Sequence, residues 1–200
     1  MEGKITKDGY RIIDHGQGCI EVEDRGFSVL INPYSGLSGD IGANIVFTHR
    51  ELDSEIIESL GSSERFCVVV PDSRSNALDL DVDFEIVGHG ETVDIFGVKL
   101  SYDLVNEGHF KLVVEMADQI FCYLNTEDSV KTVEGTSNRP IDMLILSLGQ
   151  KGLDIKDAVQ TSVALKPEVV SPYFVGNIED SKVRSLKAEI EDRNIEMYGF

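Results

Sequence analysis

The feature that most narrows what this chain can fold into is a change of rhythm about two thirds of the way along it. Up to about residue 125, short runs rich in Val, Ile, Leu and Phe recur at residues 10–13, 19–23, 28–31, 45–47, 66–70, 91–95, 98–103, 110–116 and 119–123, with Gly and Asp clusters between them. Such punctuation reads as strands, because branched and aromatic side chains suit a pleated surface and Gly and Asp suit the turns. Asp94-Ile95-Phe96-Gly97-Val98 and Met116-Ala117-Asp118-Gln119 look like hairpin connections. Beyond residue 140 the pattern changes. Strand-like runs at 141–146, 168–171 and 195–197 alternate with helix-like segments at Ile155–Leu165 and 179–193, opened by the capping residues Asp154 and Asn177. That alternation is the signature of βαβ units, since parallel strands need a crossover. A further helix is expected at 55–60. Meanders followed by βαβ units predict an α/β fold in which two mixed β-sheets pack face to face with helices on the outer faces.

With 200 residues, 42% of them hydrophobic, the chain can bury one substantial core, so 1–200 is expected to be a single domain. The longest apolar runs, Phe66-Cys67-Val68-Val69-Val70 and Met143-Leu144-Ile145-Leu146, are far shorter than the roughly 20 residues that span a bilayer. Met1-Glu2-Gly3-Lys4 has none of the blocks of a signal peptide, and the expected location is the cytoplasm. Eighteen basic against 36 acidic residues give a formal charge of −18, which argues against a nucleic-acid partner and against an anionic membrane surface. An acidic surface of this kind suits a salt-rich cytoplasm, such as that of a halophilic archaeon, where ions screen the self-repulsion; an ordinary acidic surface accounts for it equally well. Cys19, Cys67 and Cys122 lie apart in apolar stretches and read as buried reduced thiols.

Several segments, in order, resemble the metallo-β-lactamase fold, and within it the branch of L-ascorbate 6-phosphate lactonase and related archaeal metal-dependent hydrolases. Gly16-Gln17-Gly18-Cys19-Ile20 resembles that branch's GHSCF segment, Val29-Leu30-Ile31-Asn32-Pro33-Tyr34 its ILIDPF strand, and Ile45-Val46-Phe47-Thr48-His49 the strand entering its THxHxDH signature. Phe121-Cys122-Tyr123-Leu124-Asn125-Thr126 is similar to the strand and turn IYHAGDT. Residues 142–149 followed by Leu153-Asp154 match DVALLPVGG and its TMDAEEA continuation, and residues 165–173 match KPKIVIPMHY. The resemblance spans nearly the whole chain and implies an αββα sandwich. It also implies, for intact members, two divalent metals held by imidazoles and carboxylates that activate a bridging water for attack on a carbonyl or phosphoryl centre.

At most ligand positions this chain departs from that pattern. His49 and Asp53 occupy ligand places of the signature, but Glu51 stands where its second histidine belongs and Ser54 where its last one does. Gln17 replaces the early histidine, Asn32 the aspartate of IDPF, Asn125 the bridging aspartate of GDT, and Tyr173 the late histidine. The loop after the strand ending near Asp103, which carries another histidine in the family, is shortened here. His109 matches a position preceding the next strand and takes no ligand role. A neutral amide at Asn125 cannot supply the charge that holds two cations together, and catalytic zinc normally keeps three protein ligands plus a water.

The expectation is therefore a catalytically inactive relative with a binding, regulatory or assembly role and no cofactor. The alternative is a hydrolase of a phosphoester or lactone using a single Zn, Mn or Fe ion at His49, Glu51 and Asp53, with Asp53 or Glu51 as general base. In a third reading the amides and Tyr173 form a neutral hydrogen-bonding site for a small polar ligand. A protein partner or a second copy of the chain is also open.

His15, His89 and His109 have no partner at metal-ligand spacing in the sequence and are expected in turns or satisfied pockets. Gly36-Leu37-Ser38-Gly39 is too weak a pattern for a phosphate cradle, and Asp79-Leu80-Asp81-Val82-Asp83 lacks the glycine and distal glutamate of a calcium loop.

Overall fold

The alternating apolar runs become strands of two sheets. The computed structural model describes residues 3–7, 9–34, 36–37, 41–49, 56, 60, 66–72, 82–106, 109–126, 139–149, 152–175 and 180–198. In the first sheet β1 (Gly3–Lys7), β2 (Tyr10–Gly16), β3 (Cys19–Asp24) and β4 (Phe27–Ile31) form an antiparallel meander, which β5 (Ile45–Phe47), β6 (Cys67–Pro71) and β7 (Phe84–Val87) extend in parallel. The second sheet repeats the plan. An antiparallel β8 (Glu91–Ile95), β9 (Val98–Asn106), β10 (His109–Met116) and β11 (Gln119–Asn125) lead into the parallel β12 (Met143–Gly149), β13 (Val169–Val175) and β14 (Glu196–Met197).

Both sheets are mixed, as expected, but the meander does not fill the first two thirds of the chain. It breaks off after β4 and resumes at β8, because the connections 32–44, 48–66 and 72–83 are long enough to carry the chain back and start β5, β6 and β7 each parallel to the last, which a two-residue hairpin cannot do. β1 and β7 lie outside the runs that read as strands. β1 carries Lys4, Thr6 and Lys7, and in β7 three of four residues are exposed, so neither shows an apolar run. β9 continues to Asn106, beyond the expected end near Asp103, and His109 is the first residue of β10 rather than a residue preceding it.

Alternation along the strands sorts the side chains into three clusters. Ile12, Ile20, Val22, Val29, Ile31 and Phe47 from the first sheet meet Leu100, Phe110, Leu112, Phe121, Tyr123 and Ile145 from the second, making the buried layer between the sheets. The outer face of the second sheet, with Cys122, Leu124, Leu144, Leu146 and Val170, is covered by helix α1 (Ile155–Leu165) through Ala158 and Val159 and by helix α2 (Asp180–Glu191) through Leu186 and Ile190. On the outer face of the first sheet Leu30, Val46, Val68 and Val70 pack with Ile56 and Leu60, which are helical and fall within the expected helix 55–60. This is the αββα layering the pattern predicts.

α1 has the expected bounds. Asp154 accepts a hydrogen bond from the Asp157 N–H at 2.8 Å, satisfying one of the free amides of the first turn, and Lys166 closes the helix in a left-handed conformation with φ 49°. The expected cap Asn177 lies outside the described residues. All three cysteines are buried free thiols. Among the described residues no helix is long and apolar enough to cross a membrane.

Candidate functional site at the strand ends

The parallel strands of both sheets deliver their C-terminal ends to one side of the sandwich, and aromatic contacts show the convergence. His49, just past β5, lays its ring on Phe110 of β10 with centroids 5.1 Å apart and planes 13° from parallel. Phe110 in turn stacks on Tyr123 of β11 at 5.5 Å and 23°, and Tyr123 on Tyr173 of β13 at 5.3 Å and 13°. A series of four rings thus links the end of the first sheet's β5 to the end of the second sheet's β13. Phe47 and Tyr102 flank Phe110 at 5.5 Å and 6.0 Å. Each ring is buried, with His49 at 7% exposure and Phe110 at 0%. Offset and tilted aromatic pairs of this kind each contribute about 0.5–1.5 kcal/mol beyond their buried area, so the stack is a rigid element.

Hydrogen bonds fix the chain around the stack. Asn32 sits just past β4 at φ 53°, a left-handed conformation that Asn tolerates. Its N–H donates to the Phe47 carbonyl at 2.8 Å, and its Oδ1 accepts from the His49 N–H at 3.0 Å. The Thr48 N–H donates to Val69 O at 3.1 Å, so the exit from β5 is held from both sides. The Tyr123 hydroxyl reaches across the sandwich and donates to Gly18 O at 2.9 Å. Gly18 follows Gln17 in the two-residue turn joining β2 and β3, and both have positive φ, 53° at Gln17 and 77° at Gly18, as a tight hairpin requires. At the far end of the stack the Tyr173 hydroxyl donates to Asn125 Oδ1 over 3.5 Å, a long bond. Asn125 lies opposite Phe110 in the β10–β11 ladder.

Beside this region His15 Nε2 lies 3.0 Å from Glu21 Oε2, and both side chains are close to fully buried. The Tyr34 hydroxyl donates to His15 O at 2.9 Å. Asp14 accepts from the Gly16 N–H at 2.7 Å, and burial holds its carboxyl above the usual aspartate range, with that hydrogen bond and the nearby His15 opposing the rise.

The structure therefore brings together His49, Asn32, Asn125 and Tyr173, and places Gln17 in the exposed turn beside them. Glu51, Asp53 and Ser54 lie outside the described residues. Of the other histidines, His15 and His89 fall in a satisfied pocket and a turn as expected, whereas His109 opens β10. His89 is in an exposed turn, with Nδ1 accepting from the Leu104 N–H at 3.1 Å, and His109 pairs with Asn106. Residues 106 and 109 bracket the loop that the resemblance reads as shortened. Sequence reasoning missed Phe110 and Tyr123 as parts of the site. Both lie in strands and read as core, and only the register that sets Phe110 opposite Asn125 marks their place.

A metal pair of the kind the resemblance implies needs ionised carboxylates and several imidazoles converging on one point. The described positions present one imidazole, at His49, with two asparagines and a phenol in place of carboxylates. Among the described residues no three His, Cys, Asp or Glu side chains are grouped so as to hold a metal ion. These residues do not fit a dinuclear centre. What the arrangement offers is oriented hydrogen-bonding groups against an aromatic wall.

No family model matches the chain. It is 23% identical over 203 residues to a UPF0173 protein from Pyrococcus furiosus, with 92% of each chain covered. Among solved structures it superposes on a protein assigned as a metal-dependent hydrolase from Parabacteroides distasonis with a TM-score of 0.78 at 13% identity, covering 100% of this chain and 97% of that one. It also superposes on the metallo-β-lactamase fold protein YhfI from Bacillus subtilis, with a TM-score of 0.69 at 9% identity and 90% and 87% covered. The fold is that of the metallo-β-lactamases.

Proposed function

We propose that this chain is a metallo-β-lactamase-fold protein that no longer catalyses metal-dependent hydrolysis and acts as a binding, regulatory or assembly component. The observation that carries the reading is the stack His49–Phe110–Tyr123–Tyr173, which ends on Asn125. Where the resemblance calls for a bridging carboxylate and a late imidazole, an amide and a phenol meet each other, and the ring of His49 is packed flat against a phenyl face. Neutral groups of this kind orient a polar ligand without attracting cations. A fold's core and its site are separable, so the sandwich survives such replacement.

Metal content of protein purified without an affinity tag or added chelator tests the reading. Well under one equivalent of Zn, Mn or Fe is expected, and EDTA should leave the melting temperature unchanged. Near-equimolar metal, together with phosphoesterase or lactonase activity that disappears in His49→Ala, would overturn it in favour of a one-metal hydrolase using His49, Glu51 and Asp53. His49 at the end of β5 is the residue that favours that second reading, since it keeps the signature's first ligand in place.

A further inference from the structure

The first sheet ends at β7, and among the described residues no strand pairs with its outer edge. An edge strand presents a row of N–H and C=O groups that invite another strand, and natural proteins commonly blunt it with lysine, proline or a covering element. β7 carries none of these among its own residues. Its sequence is Phe-Glu-Ile-Val, and Phe84 and Ile86 are each 43% exposed. They stand beside Val68 and Val70 on the outer face of the sheet, so they continue an apolar face out to its rim.

Phe96, at the tip of the β8–β9 hairpin, adds a third exposed aromatic or branched side chain. It is 47% exposed and has φ 56°, a conformation that costs a bulky residue energy and that glycine or asparagine would take more easily. Three of the five large exposed hydrophobics among the described residues therefore gather at this rim; the other two are Val163 and Tyr198.

A cleft of about 350 Å³ runs between the two elements, lined by Cys67, Asp83, Phe84, Glu85, Asp94, Ile95 and Phe96. Its charged lining is acidic throughout. Lys99, opposite Asp94 in the β8–β9 ladder, offsets only one of the three carboxylates. Cys67 registers this field: burial first, then Glu85 and Asp83, push its thiol up to about 11. An open edge with apolar anchors and an acidic rim has a definite complement.

We infer that the β7 edge docks an extended segment of a partner protein in which basic and apolar residues alternate, added as a further strand of the first sheet. Main-chain hydrogen bonds to β7 supply the pairing, Phe84 and Ile86 take the apolar side chains on the outer face, and Asp83, Glu85 and Asp94 receive the basic ones. A second copy of this chain is disfavoured as the occupant, because it would bring a like set of carboxylates, and a net charge of −18, against the same rim. A strand of four residues is a small interface, so the affinity belongs to the transient class. This inference does not depend on the reading of the strand-end site, because the two surfaces share no residue.

The test uses the full-length protein and a fluorescent synthetic peptide of alternating lysine and valine, with an alternating glutamate–valine peptide as control. Anisotropy is expected to give a dissociation constant on the order of 10–100 μM, rising at least about tenfold between 50 and 500 mM salt. The acidic peptide should not bind. Phe84→Ser/Ile86→Ser should weaken the interaction about tenfold or more, while the melting temperature falls by only about 5 °C, since both side chains are partly exposed. In the unaltered protein the peptide should slow hydrogen exchange at β7, a readout that does not rely on the variant. No lysine–valine binding below 1 mM, binding that the double substitution leaves intact, protection elsewhere than β7, or a β7-dependent homodimer would each overturn the inference.

Discussion

Removing a single hydroxyl, in Tyr123→Phe, probes the clasp between the two sheets. Tyr123 is 1% exposed, and its hydroxyl donates at 2.9 Å to Gly18 O, a buried position on the opposite sheet. Phenylalanine preserves the ring and its stacking on Phe110 and Tyr173, so the change isolates the hydrogen bond. A buried neutral bond contributes about 1 kcal/mol net, and the carbonyl left behind adds part of a desolvation cost, giving about 1.5–2 kcal/mol in all. For a domain of this size that corresponds to a fall of about 3–8 °C in melting temperature. Tyr173→Phe is the internal control. Its bond spans 3.5 Å and its partner Asn125 is only half-buried, so the amide can turn to water and the loss should stay below about 0.5 kcal/mol. Urea titration of the three proteins followed by circular dichroism gives both differences. Equal losses in the two variants, or no loss in Tyr123→Phe, would refute the assignment of the inter-sheet bond as the stronger tie.

Lys111 is a buried cation, with its side chain 5% exposed and its ammonium 2.6 Å from Asp103 Oδ2. Asp103→Asn strands that charge and should cost about 2–3 kcal/mol, less than for a fully buried pair because Asp103 is itself partly solvated; Lys111→Met should cost markedly less, and urea midpoints compare them. Asp14 has a raised folded pKa, so its ionised form is disfavoured in the native state and the resulting penalty applies above that pKa. Asp14→Asn, which keeps an acceptor for the Gly16 N–H, should therefore stabilise the protein at pH 7, with the gain fading as pH falls through the folded pKa toward the ordinary aspartate value; a gain independent of pH would refute this. Burial pushes Cys122 up to about 12, with Lys111 opposing the rise and Asp103 adding to it, so the thiol stays protonated at pH 8. Iodoacetamide should leave Cys122 unmodified in the native protein and label it in 6 M guanidinium, as mass spectrometry can read.

Much of the architecture is legible because local patterns report burial directly. The runs 19–23, 28–31 and 110–116 alternate or fill both faces as sheet strands must, and Asp154 ahead of a helical period locates α1 to the residue. β7 escaped notice because an edge strand with exposed faces has no burial pattern to display, and the parallel pairing of β4 to β7 escaped because direction depends on where a long connection goes. At the candidate site, the departures from the resembled family's pattern at Gln17, Asn32, Asn125 and Tyr173 were readable residue by residue. What those residues do instead was not.

The sequence by itself determined the layered α/β plan, since periodicity is a property of the residues alone, and its amides and phenol at Asn32, Asn125 and Tyr173 are what set it apart from the pattern of the family it resembles. Only the tertiary structure decided that His49, Phe110, Tyr123 and Tyr173 form one stack, that Tyr123 clasps Gly18 across 105 positions of chain, and that among the described residues no strand pairs with the outer edge of β7. Those facts depend on strand register and on which sheet faces which, and these are set by the joint packing of distant segments, which no local window of sequence contains.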